Sequence, residues 1–299
     1  NNNGRELIIN LAGSLAMTGG VITESANSYG EIVFNGSAIQ SFTKTGGTIS
    51  NDIRFTVNSG ANLDMGTSVL DGSSGTFTLN AGATLTTAHQ EGLSSSGSTG
   101  SIQVSGARSF STAANYVYNG TSAQVTGSGL PATVNNLTVS NAAGVTLTSA
   151  VTISNQLTLS SGSFAIGANT LALNGPAIAG TPANLSTTSS SSLVFGGSSS
   201  GVIIPSSIAD LNNLTINNAS GVTMNSNITL TSGGILTLTS GLLNAGSNII
   251  AVTNTSAAAI AYTSGSFINV TTGSLQRTLP SGLTGTGNNY LFPIGEGGT

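Results

Sequence analysis

Between residues 137 and 173, apolar and small side chains alternate in a short, regular beat. Leu137-Thr138-Val139, Val145-Thr146-Leu147, Val151-Thr152-Ile153, Leu157-Thr158-Leu159, Phe164-Ala165-Ile166 and Leu171-Ala172-Leu173 follow one another at steps of 8, 6, 6, 7 and 7. Each triplet puts two apolar side chains on one side of the chain and a Thr or Ala on the other, the period-two signature of a half-buried strand. Ser, Asn, Gly and Ala fill the intervals, where they turn the chain. Three successive steps close a period of about 20, so the pattern predicts three short strands per repeat.

Longer words also return. Phe55-Thr56-Val57-Asn58-Ser59-Gly60-Ala61-Asn62-Leu63 reappears, at a spacing of 22, as Phe77-Thr78-Leu79-Asn80-Ala81-Gly82-Ala83-Thr84-Leu85. Asn135-Asn136-Leu137-Thr138-Val139-Ser140-Asn141-Ala142-Ala143-Gly144-Val145-Thr146 reappears, at a spacing of 77, as Asn212-Asn213-Leu214-Thr215-Ile216-Asn217-Asn218-Ala219-Ser220-Gly221-Val222-Thr223. The opening of this longer unit stands at Phe34-Asn35-Gly36-Ser37-Ala38-Ile39-Gln40, at Tyr118-Asn119-Gly120-Thr121-Ser122-Ala123-Gln124, and in weaker form at Phe195-Gly196-Gly197-Ser198, with spacings of 84 and 77.

A chain that repeats three short strands at a period of about 20 to 22 buries its inward side chains by coiling, each strand lying parallel to the one a coil earlier. A hairpin meander would need longer runs joined by tight two-residue turns. The expected fold is all-β, a right-handed parallel β-helix (solenoid), the hand being that of nearly all parallel crossovers. It is expected to form one elongated domain over residues 1–299, in long repeats over about 28–110, 111–190 and 191–270, with 271–299 ending the repeat region and leading into a following segment.

Composition changes the picture at the surface. Ser (46), Thr (41), Asn (31) and Gly (41) make up 159 of the 299 residues, and only 14 side chains carry charge. An ordinary domain is about 25% charged, so here the water-facing side must be built of hydroxyls and amides. A hydrophobic share of 38% with a net charge of −4 argues against disorder. The absence of cysteine excludes disulfides and thiolate metal sites. No apolar run approaches the ~18 residues of a membrane span, and residues 1–6 lack the order of a signal peptide. Five Lys and Arg, at an isoelectric point near 4.6, cannot neutralise a row of phosphates or hold an anionic surface. Neither nucleic acid nor membrane insertion is expected.

The Phe/Tyr-Asn-Gly-Ser/Thr-x-x-Gln opening and the Asn-Asn-Leu-Thr phrase carry a resemblance, together with Gly273-Ser274-Leu275-Gln276-Arg277 and Tyr290-Leu291-Phe292-Pro293-Ile294-Gly295. Over nearly its whole length the chain resembles repeats in large surface or secreted proteins of Bacteroidetes. The resemblance implies an adhesin-like, multi-repeat exoprotein exported by type IX secretion, hence an extracellular or cell-surface location. It implies no functional residue.

Candidate chemistry is sparse. Between Arg108 and Arg277 a single side chain is charged, Asp210, which leaves no pair for general acid–base work. Eleven of the 14 charges lie in residues 1–108, where Asp52, Asp71 and Glu91 are spaced 19 and 20 apart. Stacked beside Arg54 or Arg108, these acids would supply the oxygen ligands and the base of a calcium-assisted polyuronate lyase. The local period of 22 shifts them out of line, so they read as scattered solubilising charges, and no catalytic, metal or cofactor site is expected. His89, the only histidine, cannot form a multi-histidine centre and reads as an exposed loop residue. No nucleophile elbow or phosphate-binding loop accompanies it. Tyr116 and Tyr118 share one strand face and read as packing rather than as a platform for sugar. Thr76-Phe77-Thr78, Thr146-Leu147-Thr148, Thr229-Leu230-Thr231 and Thr237-Leu238-Thr239 would bind ice if they aligned on one flat face, but read as solvent-facing strand threonines.

The expected function is non-enzymatic: a structural or adhesive stalk or fibre module of an exported bacterial surface protein. A carbohydrate-active β-helix is the alternative and an ice-binding face the third reading. Because Leu7-Ile8-Ile9-Asn10-Leu11 is already apolar strand and residues 293–299 form no cap, self-association end to end or continuation into flanking segments is expected, with surface glycans as further partners.

Overall fold

The structure, a computed structural model, describes residues 7–25, 28–283 and 289–295. The readings made on residues 1–6 and 296–299 lie outside the described residues. The chain divides into two compact units, Asn1–Ser149 with Ser160–Gly162, and Ala150–Leu159 with Ser163–Thr299. Both are all-β, and their strands pair in parallel, coil upon coil, as in a parallel β-helix.

In the first unit one sheet runs Leu7–Leu11, Gly30–Phe34, Ile53–Val57, Phe77–Leu79, Arg108–Phe110. A second runs Leu15–Ile22, Ile39–Ile49, Asn62–Asp64, Thr84–Thr87, Asn115–Tyr118, Thr133–Ser140. The third side is made of two short pairs, Leu70–Gly72 with Ile102–Val104 and Gln124–Val125 with Val145–Thr146. Phe55 faces Phe77, Thr56 faces Thr78 and Leu63 faces Leu85, the register that the repeated word demands. In the second unit Leu171, Leu193, Leu214, Leu236 and Ile260 succeed one another in register inside one sheet. Val202, Val222, Leu243 and Ile268 do the same in another.

The in–out–in pattern holds in detail. Both outer residues of all six triplets between 137 and 173 are buried, and none of the six middle residues is. The outer residues are the apolar rungs of the core, each worth about 1.5–3 kcal/mol when taken from water. Two triplets that read as separate strands, Val151-Thr152-Ile153 and Leu157-Thr158-Leu159, belong to one strand, Val151–Ser161. Its first part pairs with Leu171–Leu173 and its second with Ala179 and Gly180. The residues between, Ser154-Asn155-Gln156, include no glycine or proline, so nothing breaks the extended backbone there.

Coil length varies more widely than the repeated words imply. Leu15 faces Phe42, a step of 27, and Ile268 faces Ile294, a step of 26. One coil of the first unit is far longer: Thr84 faces Asn115 at a step of 31, and Leu70 faces Ile102 at 32. The surplus is an excursion over residues 88–101.

Candidate functional site

The excursion leaves the coil after Thr84–Thr87 and is tied down along its length. Gln124 Nε2 donates to the carbonyl oxygens of Thr87 (3.1 Å) and His89 (3.0 Å), and the Val125 N–H donates to Gln90 O (2.8 Å). The Leu93 N–H reaches Thr126 O, and Ser101 N–H reaches Gly92 O. Arg108 donates from Nε to Val104 O (3.0 Å), from Nη1 to Ser94 O (3.2 Å) and from Nη2 to Gly97 O; burial lowers its pKa. Gly92, at φ 58°, is a required glycine: a Cβ there would stand 2.2 Å from Val125 O. The excursion is thus packed main chain against main chain onto the next coil.

A cleft of about 370 Å³ with mixed polar and apolar walls opens beside it, lined by Thr67, Ala88, His89, Gln90, Glu91, Thr121 and Ser122. His89 is half-buried rather than an exposed loop residue, because the bonds to its carbonyl hold it against the coil. Its Nδ1 accepts the Glu91 N–H at 3.2 Å, which puts the proton of the neutral ring on Nε2. Glu91 Oε2 accepts the Gly100 N–H at 3.4 Å.

The three acids singled out from the sequence occupy three different environments. Asp52 makes a two-point contact with Arg54 (Nη2–Oδ2 2.8 Å, Nε–Oδ1 3.2 Å), and the Arg54 guanidinium lies 3.5 Å over the Tyr29 ring. Asp71 is paired with Lys44 at 3.1 Å. Glu91 lies in the cleft. The register explains the separation. Asn51 N–H donates to Ser73 Oγ, a step of 22, so Asp71, only 19 after Asp52, falls three positions short of facing it. Glu91 lies outside the coil altogether. Among the described residues no three His, Cys, Asp or Glu side chains come together in a group that could hold a metal ion. Arg108, the other cation considered for such a site, is spent on carbonyls.

Tyr116 and Tyr118 are fully buried, with hydroxyls donating to Ser111 O (2.7 Å) and Thr126 O (2.8 Å). They pack, and neither ring is open to a sugar. Two of the Thr-x-Thr words, Thr229-Leu230-Thr231 and Thr237-Leu238-Thr239, lie one after the other on one strand, Ile228–Ser240, and the other two lie elsewhere. Thr78 faces Thr56 and Ser109, Thr146 faces Val125, Thr229 faces Asp210 and Ala251, and Thr237 faces Thr215 and Ala261. No word of the four faces another.

Four buried amides escaped the sequence reading. In both full openings the final Gln is buried and folds back: Gln40 Oε1 accepts the Gly36 N–H at 2.7 Å, and Gln124 Oε1 accepts the Gly120 N–H at 2.8 Å. Each Nε2 donates to two carbonyls, Leu11 and Gly13 of the preceding coil for Gln40, and Thr87 of the preceding coil and His89 of the excursion for Gln124. Asn141 and Asn218, equivalent positions of the long repeat, are also buried; each accepts a backbone N–H two residues on and donates to a carbonyl of the preceding coil. The signal was present as a polar letter that returned unchanged at fixed spacing beside apolar ones. The equivalent glycines of the three openings are all crowded: a Cβ would meet Ala12 O at 2.4 Å at Gly36, Gln124 Cδ at 2.7 Å at Gly120 and Asn174 O at 2.1 Å at Gly197.

These features define a parallel β-helix with one built excursion in its first unit. No protein-family model, curated protein or solved structure matches the chain.

Proposed function

We propose that the chain is a non-enzymatic structural or adhesive module of an exported bacterial surface protein. One observation carries this reading: the buried positions of the repeated words recur with them at spacings of 77 and 84, alongside exposed ones such as Ala142 and Thr146. Leu137, Val139, Asn141 and Val145 match Leu214, Ile216, Asn218 and Val222, all in the interior, and Gln40 matches Gln124. What the repetition propagates is therefore the means of laying one coil on the next, which is what a stalk or fibre requires. The Ser-, Thr- and Asn-rich exterior suits contact with surface glycans, and the resemblance to Bacteroidetes repeats supports an extracellular place and type IX export. Strand Leu7–Leu11 ends its sheet and exposes Leu7 (63%), Ile8 (46%) and Ile9 (43%), which favours docking of a flanking segment or a second copy along it.

Binding of the purified chain to a glycan array, with sedimentation to follow assembly, tests the proposal. Retention on glycans or concentration-dependent assembly is expected. Turnover of polyuronates with calcium that Asp71→Ala abolishes would replace this reading by the lyase.

A further inference from the structure

We propose that the cleft beside His89 is a binding site for a neutral saccharide, a deepening that rests on the adhesive reading above. The site coincides with the longest coil described in the first unit, between Thr84 and Asn115, and insertions into solenoid coils are where such folds place their binding loops. It is rigid before any ligand arrives. The backbone of His89 and Gln90 is held by Gln124 and Val125, Ser94 Oγ donates to Ser96 O at 2.7 Å, and Arg108 gathers the carbonyls of Ser94 and Gly97. A preformed site spares a ligand the ordering cost that weakens binding to mobile loops.

The lining chooses the ligand class. Thr67, Thr121 and Ser122 offer hydroxyls that donate or accept, the neutral His89 ring carries its proton on Nε2, and Glu91 offers carboxylate oxygens. Ala88 supplies a small apolar surface. This mixture of donors and acceptors suits the hydroxyl groups of a sugar. No Lys or Arg lines the cleft, and Glu91 repels anions, so phosphates, sulfated glycans and uronates are disfavoured. A metal ion lacks its ligands, because Asp52 and Asp71 are elsewhere and paired. The opening holds a ligand of one or two sugar rings, so the site reads an exposed residue of a glycan.

The chain's single imidazole gives a direct probe. Its Cε1–H resonance is followed by proton NMR during titration with the methyl glycosides of galactose, glucose, mannose and N-acetylglucosamine, and separately with glucuronate and inorganic phosphate. A saturable shift with at least one neutral glycoside, and none with glucuronate or phosphate, is expected. Glu91→Gln and Ser122→Val, both at exposed positions, should leave the melting temperature unchanged. Each should weaken binding by about tenfold, the loss of one hydrogen bond to a charged group or of a hydroxyl pair. Thr237→Val, in the second unit, should bind as the parent. No shift with any neutral glycoside, stronger binding of glucuronate or phosphate, or parental affinity in both cleft variants overturns the proposal. The two readings fail separately. Array binding that survives Glu91→Gln and Ser122→Val removes the cleft and leaves the adhesive function standing. A saturable His89 shift in a chain that neither adheres to glycans nor assembles keeps the cleft and removes the adhesive function.

Discussion

Replacing Gln124 by Met tests whether the repeated opening is held by its buried amide. Met matches the length of Gln and stays apolar, so the packing volume changes little while four hydrogen bonds vanish. They are not equivalent. Thr87 O keeps the Asn119 N–H at 3.1 Å, His89 O keeps the Gly92 N–H at 2.9 Å, and Asn141 Nδ2 keeps Ser122 O at 2.7 Å. Only the Gly120 N–H, buried and bonded to Gln124 Oε1, is orphaned. An orphaned buried donor costs about 1–3 kcal/mol and each of the three lesser losses about 0.5–1.5, so the substitution should destabilise the first unit by about 2.5–7.5 kcal/mol. Gln40→Met should cost somewhat less, since Gln40 has no counterpart to the Asn141 bond. Coils of a solenoid can open separately, so amide hydrogen exchange serves better than a single melting curve. Gly120 and the coil above Thr84–Thr87 should lose protection in Gln124→Met while residues 228–240 keep theirs. Gly120 protected as in the parent, or a cost no greater than that of Asn58→Ala, would show that the amide merely fills space.

Other substitutions probe the remaining terms. Leu147→Asp would bury an unpaired carboxylate and should cost about 3 kcal/mol or more, whereas exposed Thr146→Asp should stay within about 0.5; denaturant titration showing equal losses would mean the in–out register is wrong. Gly162→Ala and Gly241→Ala combine a positive φ (69° and 73°) with a Cβ 1.8 and 1.9 Å from Asn141 O and Asn218 O. Both should cost clearly more than Gly167→Ala, where φ is 55° but nothing lies within 4 Å and only the backbone strain of about 1 kcal/mol remains. Burial raises the pKa of Tyr116 and Tyr118, so the unfolded chain gives up these protons first. Stability should be unaffected by them below about pH 10 and fall above it, by up to about 1.4 kcal/mol per pH unit for each ring. Tyr116→Phe should flatten that alkaline fall, and an unchanged profile would refute the assignment.

The fold was legible because its governing interaction is local in pattern though distant in space. A strand two or three residues long is specified by two apolar side chains flanking a small one, and a coil by three such triplets, so Leu137 to Leu173 announced their burial without any knowledge of their neighbours. The repeated Phe-Thr word fixed the pairing of Phe55 with Phe77 because a slip of one residue would turn Phe55, Val57, Phe77 and Leu79 out of the core together. Variation in coil length was not legible. A corner is turned by glycine and a few polar residues whatever its length, and residues 88–101 have the same Ser- and Gly-rich composition as an ordinary turn.

The same logic explains why the acids stand apart and the histidine hid. Spacing in sequence becomes position in space only through the register, and a period of 22 converts separations of 19 and 20 into offset sites, leaving Asp52 to Arg54 and Asp71 to Lys44. His89 drew no weight because a lone imidazole makes no metal centre, yet its position depends on the distant Gln124, whose own meaning emerges only when the next coil is laid down. In this chain the amides that seal the corners also hold the excursion. Gln124 therefore belongs to both the repeat and the cleft: its counterpart Gln40 binds two carbonyls of a plain coil, while Gln124 binds one of the coil and one of the excursion. A site can be added to a solenoid in this way without new scaffold, by lengthening one corner and letting the next copy of the repeat clamp it.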